Sequence, residues 1–311
     1  MSVRLLYAGI KQSGVIPKEG LLLADADEPH PLVYGICILT NYRILLACGS
    51  LGLRAISLLH PELAATEAAN VRDVCSVVYE TRIQTLILLV WGPRTFDEGS
   101  DSSYFLVLLR EDINDLYWAE TTRHNTNIAV VRRSTDAMLS SCDGRVFVGE
   151  YGGVGLNVFD VSEDHNVQAA GTVALEAALR GLASTRRGIE TLVAIGYDSA
   201  IQLSRSSPLA LLEPLAAIAF TSPPRRLIFR GEQLLVARYN SGTGSDEIVS
   251  LRTIGNQLET EEVVYSSKRK FFTAMPKIEI TNWAIDPAVD RLLLADRMTG
   301  NVLIYKFTQE L

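Results

Sequence analysis

The chain has 311 residues, 48% of them hydrophobic and 21% charged, and 36 acidic against 29 basic side chains give a net charge of −7. Such a composition excludes a disordered or low-complexity chain, and the acidic excess argues against a general binder of nucleic acid. No apolar run reaches the roughly eighteen residues of a membrane span, and the N-terminus lacks the apolar core of a signal peptide, so an intracellular protein, cytoplasmic or nuclear, with no membrane association is expected.

In chain order the first element is an apolar strand over Val3 to Ile10. A turn–strand–turn pattern then recurs: Tyr42 to Gly49, Gln84 to Gly92, Gly144 to Tyr151, Thr191 to Tyr197, Gln233 to Tyr239 and Arg291 to Arg297. Between Leu45, Leu88, Phe147, Val193, Leu235 and Leu293 the intervals are 43, 59, 46, 42 and 58 residues, the length of a four-stranded propeller blade with loop insertions. The third unit shows the whole plan, with strands over Ala137 to Cys142, Arg145 to Glu150, Gly155 to Val161 and Val167 to Val173 around the turn Asp143-Gly144. The fifth repeats it over Arg226 to Phe229, Gln233 to Tyr239, Glu247 to Arg252 and Glu261 to Tyr265. Alternation is imperfect, because strands covered on both faces by neighbouring blades read as nearly continuous apolar runs.

The last unit, Ile280 to Phe307, supplies only three strands. Pairing Val3 to Ile10 with it closes the ring and removes two open edges, which predicts one all-β domain over residues 1–311, a six-bladed β-propeller closed by its N-terminal strand. A seven-bladed ring is the alternative if the long second unit or Ser266 to Ile280 holds a degenerate blade. Only Pro61 to Ala69 and Thr172 to Arg180 have helix-like composition. Cys37, Cys48, Cys75 and Cys142 sit in apolar strand patterns without metal-ligand spacing and read as buried, reduced thiols.

Trp283-Ala284-Ile285-Asp286-Pro287 through Arg291-Leu292-Leu293-Leu294-Ala295-Asp296, followed by Gly300-Asn301-Val302-Leu303-Ile304-Tyr305, resembles the blade signature of six-bladed propellers of the NHL, YWTD and sugar-lactonase type. Gly144 to Gly152 with Leu156-Asn157-Val158-Phe159-Asp160 is similar to the same signature. The resemblance implies the fold; propellers host hydrolases, receptors and scaffolds alike.

Residues ending the second strands fall on one rim. Glu150 and Asp296, with Asp198 and Asn240 displaced along the pattern, offer oxygens of the kind Ca2+ or another divalent metal takes, and a lactonase-like site would draw on them. Tyr151, Tyr197 and Tyr239 repeat at one position and offer either an aromatic platform or a reused packing residue. Arg132, Arg133, Arg225, Arg226, Lys268, Arg269 and Lys270 precede first strands, and Arg238 ends a second strand, so all are expected near that rim; Arg186 and Arg187 fall on the other. Isolated histidines and the lack of GxSxG, HExxH or GKS/T sequences give no catalytic motif. The reading that follows is a protein-interaction scaffold binding a protein or peptide through the arginines and tyrosines, without a catalytic residue or cofactor. A metal-dependent lactonase-like hydrolase and an RNA-binding propeller are the alternatives.

Overall fold

The computed structural model describes residues 7–16, 33–39, 43–60, 65–93, 102–112, 117–129, 137–220, 222–266, 280–286, 290–296 and 301–309. Strand β1 (Tyr7–Ile16) opens the chain. The first blade is β2 (Gly35–Ile38), β3 (Arg43–Ala47), β4 (Leu53–Ser57) and β5 (Thr66–Ala69), and the second is β6 (Val74–Glu80), β7 (Thr85–Pro93), β8 (Ser102–Asp112) and β9 (Tyr117–Ala129). The third is β10 (Ala137–Cys142), β11 (Arg145–Glu150), β12 (Gly155–Val161) and β13 (Val167–Ala174), and the fourth is β14 (Gly181–Arg187), β15 (Glu190–Gly196), β16 (Ala200–Ser207) and β17 (Ala210–Ala219). The fifth is β18 (Pro224–Arg230), β19 (Gln233–Asn240), β20 (Ser245–Ile254) and β21 (Gln257–Ser266); β22 (Ile280–Asp286), β23 (Arg291–Asp296) and β24 (Val302–Gln309) begin the sixth.

Each of the first five sheets is an antiparallel meander in chain order, whereas the sixth runs β1-β24-β23-β22. The N-terminal strand therefore supplies the missing outer strand of the last blade, with Ile10 opposite Phe307 and Ile16 opposite Val302. This is the expected closure. The strand continues past Ile10 to Ile16, and residues 3–6 of the expected strand lie outside the described residues. Six sheets form a six-bladed β-propeller. The seven-bladed alternative gives way in the second unit, whose extra length goes into the long β8 and β9 rather than a further sheet; of its other expected location, Ser266 to Ile280, residues 267–279 lie outside the described residues. Neither helix-like stretch is helical where it is described: Thr66–Ala69 and Thr172 to Ala174 are outer-strand residues, and tertiary pairing overrides so weak a local preference.

The local chemistry explains the meander. Asp143 and Gly144 both adopt positive φ, 58° and 80°, as the two-residue turn that matches strand twist requires. Leu45, Phe147, Val193, Leu235 and their equivalents in the second strands are wholly buried, because neighbouring sheets cover both faces. The core is accordingly divided among the seams. Ile87, Leu89, Val146 and Val148 pack between the second and third blades, Phe147, Leu182 and Val193 between the third and fourth, and Ile16, Leu46, Leu293 and Val302 between the sixth and first.

Arginines clasp the seams along the rim that carries the turns between first and second strands, here the lower rim. Arg43 reaches Glu111 at 3.2 Å, and Arg82 and Arg186 reach Asp143 from either side at 3.5 and 3.3 Å. Arg145 donates to Ser206 Oγ at 3.1 Å, Arg187 approaches Glu232 at 3.8 Å, and Arg230 binds Asp290 while lying 4.0 Å from the centre of the Phe307 ring.

Candidate functional site

Three surfaces converge chemistry: the upper rim, where second strands end; the axial channel; and the lower rim. On the upper rim the predicted arginines and tyrosines are drawn into local pairs. Arg225 Nη1 is 3.4 Å from Asp246 Oδ1, whose side chain is buried, and its guanidinium lies 5.5 Å from the centre of the Tyr239 ring. Arg238 donates from Nε and Nη2 to Glu247 Oε2 at 3.1 and 2.9 Å. Burial of Asp246 and Glu247 at the start of β20 demands these partners, since a buried carboxylate without one is costly. Tyr151 is half-buried beneath Arg180, 4.6 Å from the ring centre, and Tyr197 is buried in the seam core with its hydroxyl 3.4 Å from Gln202 Oε1. Burial pushes the Tyr197 phenol above its ordinary pKa. The three tyrosines thus share a repeat position with different surroundings. Arg132, Arg133, Lys268, Arg269 and Lys270 lie outside the described residues.

The oxygens considered for a metal are distributed over four blades. Asp198 accepts from Arg180 Nε at 2.7 Å. Asn240 Oδ1 accepts from the amides of Gly242 and Thr243 at 3.0 and 3.3 Å, and its Nδ2 donates to Glu247. Glu150 is half-buried and Asp296 is buried at the end of β23. Among the described residues no three His, Cys, Asp or Glu side chains gather as a metal site would require. As they stand, Asp198 and Asn240 are committed to other partners and do not fit a shared cation.

The six inner strands line a half-open cavity of about 390 Å³. Arg226 and Asn282 line it at matching levels of adjacent blades, opposite Ala237 and Ala295 of their second strands. Arg226 Nη1 donates to the Arg225 carbonyl at 2.9 Å; Asn282 donates to the Tyr34 carbonyl and accepts from the Trp283 amide at 2.8 Å. Deeper, Ser140 and Ser184 hydroxyls meet at 2.7 Å. The sequence pattern assigns Arg226 to the rim alone; the signal for a channel position is its place inside a first strand.

The lower rim carries residues that the sequence reading passes over. Ile189 is 94% exposed in the turn between β14 and β15, and Leu209 is 99% exposed in the turn between β16 and β17. Both belong to the fourth blade. They project from one sheet end about two strand spacings apart, roughly 10 Å. The corresponding turns of the neighbouring blades carry Asp143-Gly144, Asp164-His165, Gly231-Glu232 and Gly255-Asn256, so the tips on either side of the fourth blade are polar. Beside Ile189, Arg186 shares the Asp143 carboxylate with Arg82 and donates from Nε to the Gly188 carbonyl at 3.0 Å. The readable signal is an apolar residue following Gly188 or Pro208 in a two-residue hairpin turn, where folding asks for none.

No protein-family model matches the chain, and no curated protein does. Solved structures are similar in fold. A protein from Lactobacillus plantarum is 13% identical with a TM-score of 0.59, the match covering 90% of this chain and 84% of that one. A glucose dehydrogenase is 10% identical with a TM-score of 0.57, covering 96% and 99%. The β-propeller domain of Cps50 (Swd1) from Myceliophteria thermophila is 15% identical with a TM-score of 0.51, covering 89% and 83%. At these identities the likeness extends to the propeller fold alone, which fits the six sheets described above.

Proposed function

We propose that this propeller is a protein-interaction module whose docking surface is centred on the lower rim of the fourth blade. The observation that carries the reading is the pair of fully exposed apolar tips, Ile189 and Leu209, at turns whose two central residues are polar or glycine in both adjoining blades. A large apolar side chain left in water contributes nothing to folding, whereas burying each against a partner is worth about 1.5–3 kcal/mol. Arg186, more than half exposed, supplies a planar donor beside them, and arginine flanking apolar anchors is the composition of interface hot spots. The partner is a protein surface offering an apolar pocket bordered by a carboxylate. The upper-rim arginines, being paired with Asp246 and Glu247, are the weaker candidate for that role.

Affinity capture from the source cell, run in parallel with the unaltered chain, an Ile189→Ser/Leu209→Ser variant and an Arg225→Gln variant, tests this. Support is a stoichiometric protein lost with the tip variant and retained with Arg225→Gln. The reverse pattern moves the interface to the upper rim, and a partner indifferent to both refutes the assignment.

A further inference from the structure

We propose that the seam between the sixth and first blades takes a small monocarboxylate at its upper end, with Arg54 as the anchor; this goes beyond the docking surface and stands on separate residues. Strand β4 alternates between two seams. Leu53 and Ala55 pack toward the second blade and Ile56 toward the sixth, so Arg54, in step with Ile56, enters the seam with the sixth blade. Burial raises the pKa of the Cys48 thiol and the Arg54 guanidinium draws it down, which puts the two groups side by side. Arg54 is only 7% exposed. Its Nε is fully buried without a hydrogen-bond partner, and among the described residues no hydrogen bond or ion pair reaches the guanidinium. Nε alone of its three nitrogens is closed off in this way, which leaves the open end of the fork as the part turned toward solvent. A guanidinium does not give up its proton, so burying one without a counter-charge is costly.

The neighbouring strand withholds the obvious counter-charge. Glu67 stands opposite Arg54 in the pairing of β4 with β5, yet its half-open carboxylate lies 4.0 Å from Arg72 instead. Ala68 is the extra residue between the pairs Leu53 with Ala69 and Arg54 with Glu67, and a bulge of this kind re-aims side chains beside binding sites. Arg72, more than half exposed, donates to the Ser50 and Leu51 carbonyls at 3.5 Å in the turn that leads into β4. Two guanidinium groups therefore border this turn with one carboxylate between them, a balance that attracts an anion. The surroundings select which anion. A planar fork takes a carboxylate in two parallel hydrogen bonds, and one negative charge balances one guanidinium. Leu46, directly opposite Arg54, and Ile56 offer apolar contact rather than donors for the further oxygens of a phosphate. Leu51, partly buried against the same cluster, covers the carbon atoms of the acid.

The test uses the full chain with sodium acetate, butyrate, chloride and phosphate at matched ionic strength. Expected is a saturable rise in melting temperature with acetate and, at lower concentration, with butyrate, with calorimetric titration giving the same dissociation constants. Arg54→Met binds either acid at least tenfold more weakly. Without added carboxylate it melts no lower than the unaltered chain, because it removes an uncompensated buried charge. Arg54→Lys, which keeps the charge and loses the fork, falls between the two, and Arg186→Met on the lower rim changes nothing. Equal binding by Arg54→Lys and the unaltered chain refutes the anchor. An Arg54→Met variant that fails to fold, or melts well below the unaltered chain in carboxylate-free buffer, shows the guanidinium to be compensated from within the chain and overturns the proposal. Equal responses to acetate, chloride and phosphate, or no saturable response to either acid, do the same.

Discussion

Removing residues 1–16 is expected to leave a ring that no longer closes. The deletion takes away all of β1, whose eight registered partners on β24 run from Gln309 to Val302. It also takes Ile16, wholly buried in the seam between the sixth and first blades. The part attributable to packing is set by Ile16→Ala, which by the usual cost of truncating a buried aliphatic side chain loses about 2–5 kcal/mol. Val15, on the opposite face of the strand and 39% exposed, is the control: Val15→Ala costs less than about 1 kcal/mol. Deletion adds to the Ile16 loss an open β24 edge, and a domain with the usual margin of about 5–15 kcal/mol is left marginal and prone to edge pairing. Urea denaturation of the three variants gives the stabilities, and sedimentation gives the oligomeric state. A deleted chain as stable as the whole, and monomeric, refutes the closure argument; so does an Ile16→Ala variant no weaker than Val15→Ala.

Two glycines separate conformational strain from collision. Gly52 has φ of 77°, and an added Cβ meets the Val71 carbonyl oxygen at 2.3 Å, while at Gly188, φ 63°, nothing lies within 4 Å. Gly188→Ala should therefore cost only the left-handed strain, about 1–2 kcal/mol, and Gly52→Ala clearly more in the same urea titration; equal losses contradict the collision. The buried thiols give a pH prediction. Burial raises the pKa of Cys37, Cys48 and Cys75 from 9.0 to about 12, and that of Cys142 to about 11. The unfolded thiols ionise first, so their contribution is complete below pH 9 and is lost as pH climbs toward those folded values, at about 1.4 kcal/mol per pH unit per thiol. Stability measured from pH 8 to 11 should fall accordingly, and a disulfide reagent at pH 8 should label the native chain slowly and the urea-unfolded chain at once; rapid native labelling contradicts the burial.

The blade plan was readable because each second strand is covered on both faces. Uninterrupted runs such as Leu86 to Val90 can serve nothing else, and Asp143-Gly144 marks its hairpin by turn chemistry alone. In the third blade the expected strand limits agree with those observed, differing by one residue at the end of β13. Site geometry was less legible. Tyr151, Tyr197 and Tyr239 are equivalent in the repeat, yet what covers each ring depends on the blade beside it, and Tyr197 is buried where Tyr151 is half-open. Arg225 and Arg226 are sequence neighbours that a bulge sends to different surroundings, one to Asp246 and one to the channel. Sequence period cannot register a bulge, because a single inserted residue reverses which side chains share a face.

A core partitioned into six wedges has a consequence for how such a sequence changes over time. Leu89 and Val148 pack in one wedge, so a volume gained at one must be given back at the other, whereas Val249 packs in a different wedge, between the fourth and fifth blades. Energetic coupling between side chains fades beyond about 7–10 Å. Homologues should accordingly show compensating exchanges within a wedge and independent drift between wedges, each blade answering to its two neighbours and to no other. A propeller of this kind can diverge until its overall identity is erased while every wedge keeps its volume.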